Sequence, residues 1–403
     1  MNIKSLILGS ATVALAATGA QAADAIVIAE PEPVEYVRVC DVYGAGFFYI
    51  PGTETCLRIS GWVRHQLDTV ASGTTVERGV AGAAIVETRT RTRERGIHQT
   101  TAAQINLDAR SETEYGTLRG WVQLETPAGA GTDRSHPLGD VGVAINRALI
   151  QLGGLYMGYA DSLFSSSSNF GGSGLGNYGG FTYADTFNYH YEQRHQIGYQ
   201  FSGGNGFWGA IAIEHDAAVN NYTPDVVGKI AYQQAWGGVW LAAGYDESAD
   251  GVGIRGGVQA TFSPLTVRLD GYYQSNADVA YGRAARWAVQ GTALYQINPK
   301  LGLAVGLEYR DDLVANGATV HTAAALHGVA GPLVGVPAAG NYFSDGHAWA
   351  AQVGLNWQPV QNFLIGADVV YNKAKFSEAN AAGHTYTRTA DTTSFRLRFQ
   401  RNF

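Results

Sequence analysis

The stretch Leu265-Thr266-Val267-Arg268-Leu269-Asp270-Gly271-Tyr272-Tyr273-Gln274 decides the fold. Its odd positions are apolar, aromatic or glycine and its even positions mostly polar, the period-two mark of a strand with two unlike faces. The same alternation runs through Leu301, Leu303, Val305, Leu307 and Tyr309, through Trp349, Ala351, Val353, Leu355 and Trp357, and through Phe363, Ile365, Ala367, Val369 and Tyr371. A soluble sandwich would alternate as well. What discriminates is segment length, about ten residues as a tilted membrane strand requires, and the aromatics at the ends of the apolar rows. Tyr273, Trp287, Tyr295, Tyr309, Trp349, Trp357, Phe363 and Tyr371 sit where two membrane interfaces select aromatic rings.

The connections alternate too. Tight turns are expected at 111–116, 153–154, 202–206, 234–237, 263–264, 296–300 and 358–362, with longer polar or glycine-rich loops at 68–96, 126–146, 161–194, 215–225, 247–253, 274–285, 311–346 and 374–393. These connections separate about sixteen strands, an even number with short turns on one side and long loops on the other, which is the layout of an outer-membrane barrel. Closing the sheet leaves no unpaired edge in lipid.

Composition agrees. Of 403 residues only 15% are charged, while 11% are aromatic and 52 are glycine. A soluble domain carries about a quarter charged residues, so much of this surface is covered by something else. Aromatics this abundant exclude a disordered chain, and a formal net charge of -7 lacks the basic footprint of a nucleic-acid binder. Length alone would suggest two or three domains, but all-β barrels run long as single units.

Residues 1–22 read as a signal peptide. Lys4 opens it, an apolar run spans 6–17, and Ala20-Gln21-Ala22 supplies a small-x-small cleavage site before Ala23. The run is too short to span a bilayer as a helix. In an exported chain the two cysteines, Cys40 and Cys56, are expected to form a structural disulfide. The expected organisation is a signal peptide at 1–22, a periplasmic arm and Cys-bounded segment at 23–56, and a transmembrane barrel at 57–403.

At the other end Phe395, Leu397, Phe399 and Phe403 share one parity and Arg396, Arg398, Gln400 and Asn402 the other. A last strand ending in Phe resembles the signal read by the outer-membrane assembly machinery. Arg401 departs from that pattern by standing where an apolar residue is usual, a position from which it can snorkel at the interface.

Glu35-Tyr36-Val37-Arg38-Val39-Cys40-Asp41, then Tyr43-Gly44-Ala45-Gly46-Phe47-Phe48-Tyr49-Ile50-Pro51-Gly52-Thr53-Glu54-Thr55-Cys56-Leu57-Arg58, is similar to the opening of the general porins of the Brucella and Rhizobium group of alphaproteobacteria. Ser111-Glu112-Thr113-Glu114-Tyr115-Gly116-Thr117-Leu118 and the ending Arg398-Phe399-Gln400-Arg401-Asn402-Phe403 extend the resemblance along the whole chain. It implies an all-β fold, a 16-stranded antiparallel transmembrane barrel that forms a homotrimer, with the third loop folded into the lumen as a constriction. Ala23-Asp24 also resembles the Ala-Asp start that related envelope barrels use for covalent attachment to peptidoglycan, so the Ala23 amino group is the expected point of any link to the cell wall.

Lumen charge is the most informative chemistry. Arg58, Arg64, Arg110, Arg119, Arg147, Arg396 and Arg398 fall on the polar parity of the first four strands and the last, which become neighbours on closure. One wall is therefore expected to be basic. Counting residues from the periplasmic turns puts Arg64, Arg147 and Arg398 near mid-height and Arg396 just above. Asp161, Asp185 and Glu192 belong to or border the third long loop; Asp161 and Asp185 are the acids expected to face the arginines across an eyelet. Ordinary solvated lumen charge is the alternative. Glu87, Arg89, Arg91, Arg93 and Arg95 alternate with polar residues, so that segment is read as a strand extension or first loop above the membrane, with a solute-screening cationic collar as the functional alternative.

Other motifs carry less. Gly174-Leu175-Gly176-Asn177-Tyr178-Gly179 matches G-x-G-x-x-G but lies in a Ser/Gly-rich loop without the flanking strand and helix of a dinucleotide site. His190 and His195 are too isolated to argue for a metal, and no Ser/His/Asp constellation can be placed. The reading is a passive general-diffusion porin for small hydrophilic solutes and ions, without cofactor or catalysis, embedded in outer-membrane lipid. A solute-specific channel with Trp62, Trp121 and Trp208 stacking on sugars, and a structural tether to peptidoglycan, are the alternatives.

Overall fold

The computed structural model describes residues 38–69, 72–81, 84–92, 96–126, 143–165, 181, 193–215, 223–316, 319–320, 341–379 and 385–403. The expected signal peptide, Ala23, Asp185, His190, Glu192 and the glycine-rich run at 174–179 lie outside these residues.

After a 3-10 turn, Asp41–Tyr43, the strands in chain order are β1 (Phe47–Tyr49), β2 (Cys56–Thr69), β3 (Ser72–Ala81), β4 (Ala84–Thr92), β5 (Ile97–Thr113), β6 (Gly116–Glu125) and β7 (Ala144–Leu152). There follow β8 (Leu155–Asp161), β9 (Gln193–Gly204), β10 (Phe207–Glu214), β11 (Asp225–Gln234), β12 (Gly237–Asp246), β13 (Gly251–Phe262) and β14 (Leu265–Gln274). The last are β15 (Ala285–Asn298), β16 (Leu301–Asn316), β17 (Thr319–Val320), β18 (Asn341–Val360), β19 (Phe363–Ala379) and β20 (Thr385–Asn402). Sixteen of them close an antiparallel barrel. The four outside the ring are β1, which pairs with β2, the β3–β4 hairpin, which is joined to β20 through β3, and β17, which pairs with β16.

Closure joins the last strand to the first. Trp62 stands opposite Asn402, and the register runs up to Asp68 opposite Arg396. Gly61 and Phe403 exchange both backbone hydrogen bonds at 3.0 Å, so the terminal residue is part of the seam. With both edges of the sheet paired, the backbone can lie in hydrocarbon without orphaned polar groups.

All seven expected tight turns join consecutive barrel strands. The long connections are more strand-rich than their composition suggests. Residues 68–96 contain the β3–β4 hairpin, β19 and β20 extend far into 374–393, and the 247–253 connection shrinks to four residues between Asp246 and Gly251. Above the bilayer neither face has to be apolar, so the hydrophobic alternation disappears while strand pairing continues.

The two faces are inverted relative to a soluble protein. Ile211, Val226, Ile230, Leu241, Leu269, Leu307 and Val353 are exposed on the outside, whereas Asp108, Lys229, Arg255, Asp270, Glu308 and Asp368 are buried within. An apolar surface of that extent is a lipid interface. Its borders are aromatic: Trp349 and Trp357, both outward on β18, lie eight residues apart, about 26 Å along the strand or roughly 20 Å along the membrane normal at a tilt near 40°. At the upper border Trp287 packs on Tyr309 at 5.4 Å and Trp349 on Tyr371 at 5.1 Å between ring centroids.

Cys40 and Cys56 are joined as a disulfide. Both bury with Phe47, while Tyr43 and Tyr49 pack against them. The guanidinium groups of Arg58 and Arg110 lie 4.8 and 5.1 Å from the Phe47 ring centroid, which ties this small cluster to the foot of β2 and β5.

Candidate functional site

Even-numbered residues of β2 and β20 project inward, because the odd ones, such as Val63 and Phe395, are exposed to lipid. Register then makes a diagonal of charge across the closing seam: Arg64 faces Gln400, Gln66 faces Arg398 and Asp68 faces Arg396. Arg64 donates from Nε to Gln400 at 2.9 Å and lies 3.8 Å over the ring of Trp62. Arg398 donates to Gln66 at 3.0 and 3.2 Å. Arg396 is the one of the three with a carboxylate, donating to Asp68 at 3.2 Å. Among the described residues Arg64 and Arg398 therefore hydrogen-bond neutral amides, which orient the guanidinium groups without cancelling their charge.

The other arginines are balanced on the wall itself. Arg147 on β7 pairs with Asp161 on the adjacent β8 at 2.7 Å and also bonds Gln123; both charged residues are buried. Asp161 is thus a strand neighbour of Arg147. Nearer the short-turn end, Arg110 and Arg119 each make two hydrogen bonds to Asp108, with Arg58 at 3.5 Å from the same carboxylate. Glu125 is an acid the sequence reading passed over: it accepts from Asn146 at 2.6 Å and is within electrostatic reach of Arg64, Arg147 and Asp161. Its place is visible only once Gln104, opposite Glu125, is known to lie opposite Trp62 in turn.

A second group of inward residues packs together on β6 to β12 and the β14–β15 connection. Val279 and Tyr281, from the connection between β14 and β15, bury against Tyr156, Ala210, Val227 and Trp240 of the barrel wall. The Tyr281 hydroxyl reaches Glu214 at 2.9 Å, and its ring lies 5.0 Å beneath the Arg194 guanidinium. Asn276 donates to the Ala249 carbonyl at 2.9 Å and the Ala280 amide to Asp246 at 2.8 Å, which ties the segment down along its length. Inward-facing Gly244 makes room for it, since a Cβ there would stand 2.5 Å from the Tyr281 ring.

The described root of the third long loop packs on the same cluster. Leu163 and Phe164 are buried in the same cluster, with the Leu163 amide donating to Glu214 at 3.2 Å and Phe164 packing on Tyr281 at 5.5 Å. Arg255, wholly buried, pairs with Asp270 at 3.2 Å between the rings of Trp240 and Tyr272. On the seam side, Arg64 and Arg398 stand half-exposed among the described residues.

Several sequence candidates fall elsewhere. Arg89 and Arg91 share the outer face with Lys373 and Lys375 through the register of β4, β3, β20 and β19, so they do not form a collar over the pore. His195 is exposed on the outer face beside Tyr159 and His215. Trp62 and Trp121 each carry a guanidinium on the ring, Arg64 at 3.8 Å and Arg119 at 5.6 Å, and Trp208 packs against the buried cluster.

The comparisons agree with this geometry. The chain is 36% identical over 334 residues to the porin Omp2b of Brucella suis, and 38% identical over 324 residues to that of Brucella abortus strain 2308; each alignment covers 74% of this chain and 82% of the relative. Among solved structures, the outer-membrane channel DcaP of Acinetobacter baumannii superposes with a TM-score of 0.57 at 16% identity, covering 88% of this chain and 99% of that one. The Porin_2 model, described as a porin subfamily, matches residues 24–399. The chain belongs to that family and is a general-diffusion porin of the outer membrane.

Proposed function

We propose that Arg64 and Arg398 form the cationic side of the pore's narrowest section, with Arg396 above them. The observation that carries this is their bonding to Gln400 and Gln66: two lumen-facing guanidinium groups held in place by amides keep their full charge. The inward course of Leu163 and Phe164 supports a third loop that continues into the lumen and brings Asp185 toward these arginines. Solutes then cross a transverse field between the two rows, focused by the low-dielectric wall.

Permeation is passive, without cofactor or turnover, and three copies assemble in outer-membrane lipid as the family resemblance implies. We propose folding through the assembly machinery, which the outward aromatic parity of Phe395 and Phe399 on β20 suits. After removal of residues 1–22, the arm at 23–56 carries Ala23 as its amino terminus, and we place a covalent peptidoglycan link there; muramidase digestion of sacculi tests it by recovery of an Ala23-bearing muropeptide.

The experiment for the pore is the double substitution Arg64→Ala, Arg398→Ala in planar bilayers. Single-channel conductance rises and the reversal potential moves toward cations, most clearly at low salt where screening is weak. Unchanged values in a folded channel place both residues outside the constriction. Linear dependence of conductance on salt separates a general pore from a saturable, solute-specific one.

A further inference from the structure

We propose that His195 and His215 form a two-imidazole site on the outer face of the barrel for a divalent transition-metal ion, copper(II) above all. The sequence leaves His195 isolated, and the sheet supplies its partner. Gln196 on β9 stands opposite Glu214 on β10, and the pairing continues one residue further, where the His215 amide donates to the His195 carbonyl at 2.8 Å. Residues opposite one another in an antiparallel pair share a face, with Cα atoms about 4.5–5.5 Å apart. That face is the outer one, because Ile197 and Ile213, the next outward pair, are both exposed. Both imidazoles are exposed, and their ring centroids are 6.3 Å apart. A zinc ion takes each imidazole nitrogen at about 2.0–2.1 Å, so two rings on one tetrahedral ion have their centres about 5 Å apart. His195 and His215 stand within roughly 1 Å of that spacing, a shift that small side-chain rotations of exposed residues supply. Tyr159, opposite His195 on β8, packs on it at 4.9 Å and occupies the side of the ring away from His215.

The surroundings select the ion. The two rings border a concavity of about 290 Å³ whose lining includes Met157, Ile197, Ile213 and Pro224. Glu214, the one carboxylate among the described residues of that lining, is turned to the lumen, where it accepts from Tyr281 at 2.9 Å. Mg²⁺ and Ca²⁺ require oxygen ligands, and the outward side chains offer them no carboxylate. Imidazole suits zinc, nickel and copper, and copper(II) binds most tightly of these in the Irving–Williams order. Among the described residues no cluster of three or more His, Cys, Asp and Glu side chains stands together for a metal, so water completes the coordination of an ion on this pair and the ion stays exchangeable. One ligand comes from each strand, at the open end of the β9–β10 hairpin. The third long loop arrives at β9 there and the 215–225 connection leaves β10 there, so the ion bridges the roots of two long loops.

The test uses the purified full-length channel in detergent, carrying no histidine tag, with copper(II) as the probe and Mg²⁺ as the control ion. Affinity is read by isothermal titration and ligand type by electron paramagnetic resonance, in which imidazole ligands give nitrogen couplings. Each wild-type chain takes up one copper ion with nitrogen couplings and takes up no Mg²⁺. The variant H195Q/H215Q loses roughly tenfold or more in copper affinity with unchanged single-channel conductance, since neither ring faces the lumen. H347Q, which removes an imidazole stacked on Tyr309 elsewhere on the barrel, keeps the wild-type affinity. Equal copper affinity in H195Q/H215Q overturns the proposal, as does a copper signal with oxygen ligands only. One ion shared between chains assigns the metal to a subunit contact and overturns it as well. Should the double variant fail to fold, H215Q alone changes a residue just beyond the end of β10, and copper binding at the wild-type level by that variant has the same force.

Discussion

The hydroxyl of Tyr281 lies 2.9 Å from the carboxylate of Glu214, bringing a residue from the β14–β15 connection against the far inner wall of the barrel. Asp225 is 3.1 Å from the same hydroxyl and is paired with Arg194. One O–H proton serves one carboxylate at a time, so Arg194 balances the second. The connection is thereby latched to the inner wall at Tyr281.

Opening that latch is expected to widen the pore. Tyr281→Ala removes ring and hydroxyl, and Gly244→Val fills the space the ring occupies, where even a Cβ would stand 2.5 Å from it. Both variants are expected to raise single-channel conductance and to speed the entry of larger oligosaccharides in liposome swelling. Tyr281→Phe keeps the packing and loses one hydrogen bond to a charged group, a cost of about 1.5–3 kcal/mol that thermal melting registers while mean conductance stays close to wild type. Wild-type conductance in both Tyr281→Ala and Gly244→Val would show that the segment does not limit flow.

Much of this architecture was legible in advance because lipid imposes one rule on every strand. Leu265 to Gln274 shows its faces in sequence, and the turns at 153–154 or 263–264 fall where the alternation breaks. The β3–β4 hairpin was hidden for the same reason: outside lipid the rule lapses, and Thr88 or Thr90 carries no sign of which way it faces. The arginine diagonal was readable from parity, but its partners were not, since Gln400 and Gln66 meet Arg64 and Arg398 only through the register of the closing seam. Tyr281 was the hardest case. One tyrosine in a polar loop reads as solvated, and only the inward glycines Gly244, Gly251 and Gly253 hinted that something must be accommodated there.

Reduction of the Cys40–Cys56 bond is expected to loosen the foot of β2 and β5 and leave the channel open. The bond closes a sequence separation of 16 residues, a constraint worth about 3 kcal/mol in the chain-entropy model. A Cys40→Ser, Cys56→Ser protein should unfold at lower temperature or denaturant concentration while conducting as wild type. A changed conductance would mean that the Phe47 cluster shapes the pore mouth as well as bracing it.

Tyr43 gives the foot an alkaline limit. Burial, together with the hydrogen bond to Glu112 and its charge, pushes the phenol up to about 12 from 10.0. A folded value above the unfolded one means that the contribution is complete below about pH 10 and is lost as pH rises through about 12. Melting temperatures followed across that window should fall more steeply for wild type than for Tyr43→Phe. Parallel curves would show that Tyr43 ionises without disturbing the fold.

Asp108 concentrates the remaining test of the basic wall. Its carboxylate is buried and receives two hydrogen bonds each from Arg110 and Arg119, with Arg58 close by. Asp108→Asn keeps the shape and leaves three guanidinium groups beside a neutral amide. Breaking a buried pair this way costs about 3–5 kcal/mol, and the lower end is expected because Arg58 and Arg110 retain contact with water. The uncancelled charge should draw anions to the periplasmic end and shift the low-salt reversal potential toward them, opposite in sign to the Arg64→Ala, Arg398→Ala change. Adding Arg119→Ala to Asp108→Asn removes one of the stranded charges and should recover part of both the stability and the selectivity, a coupling that a double-mutant cycle measures directly. Strict additivity of the two substitutions would show that Asp108 holds the arginines through packing, with no electrostatic share.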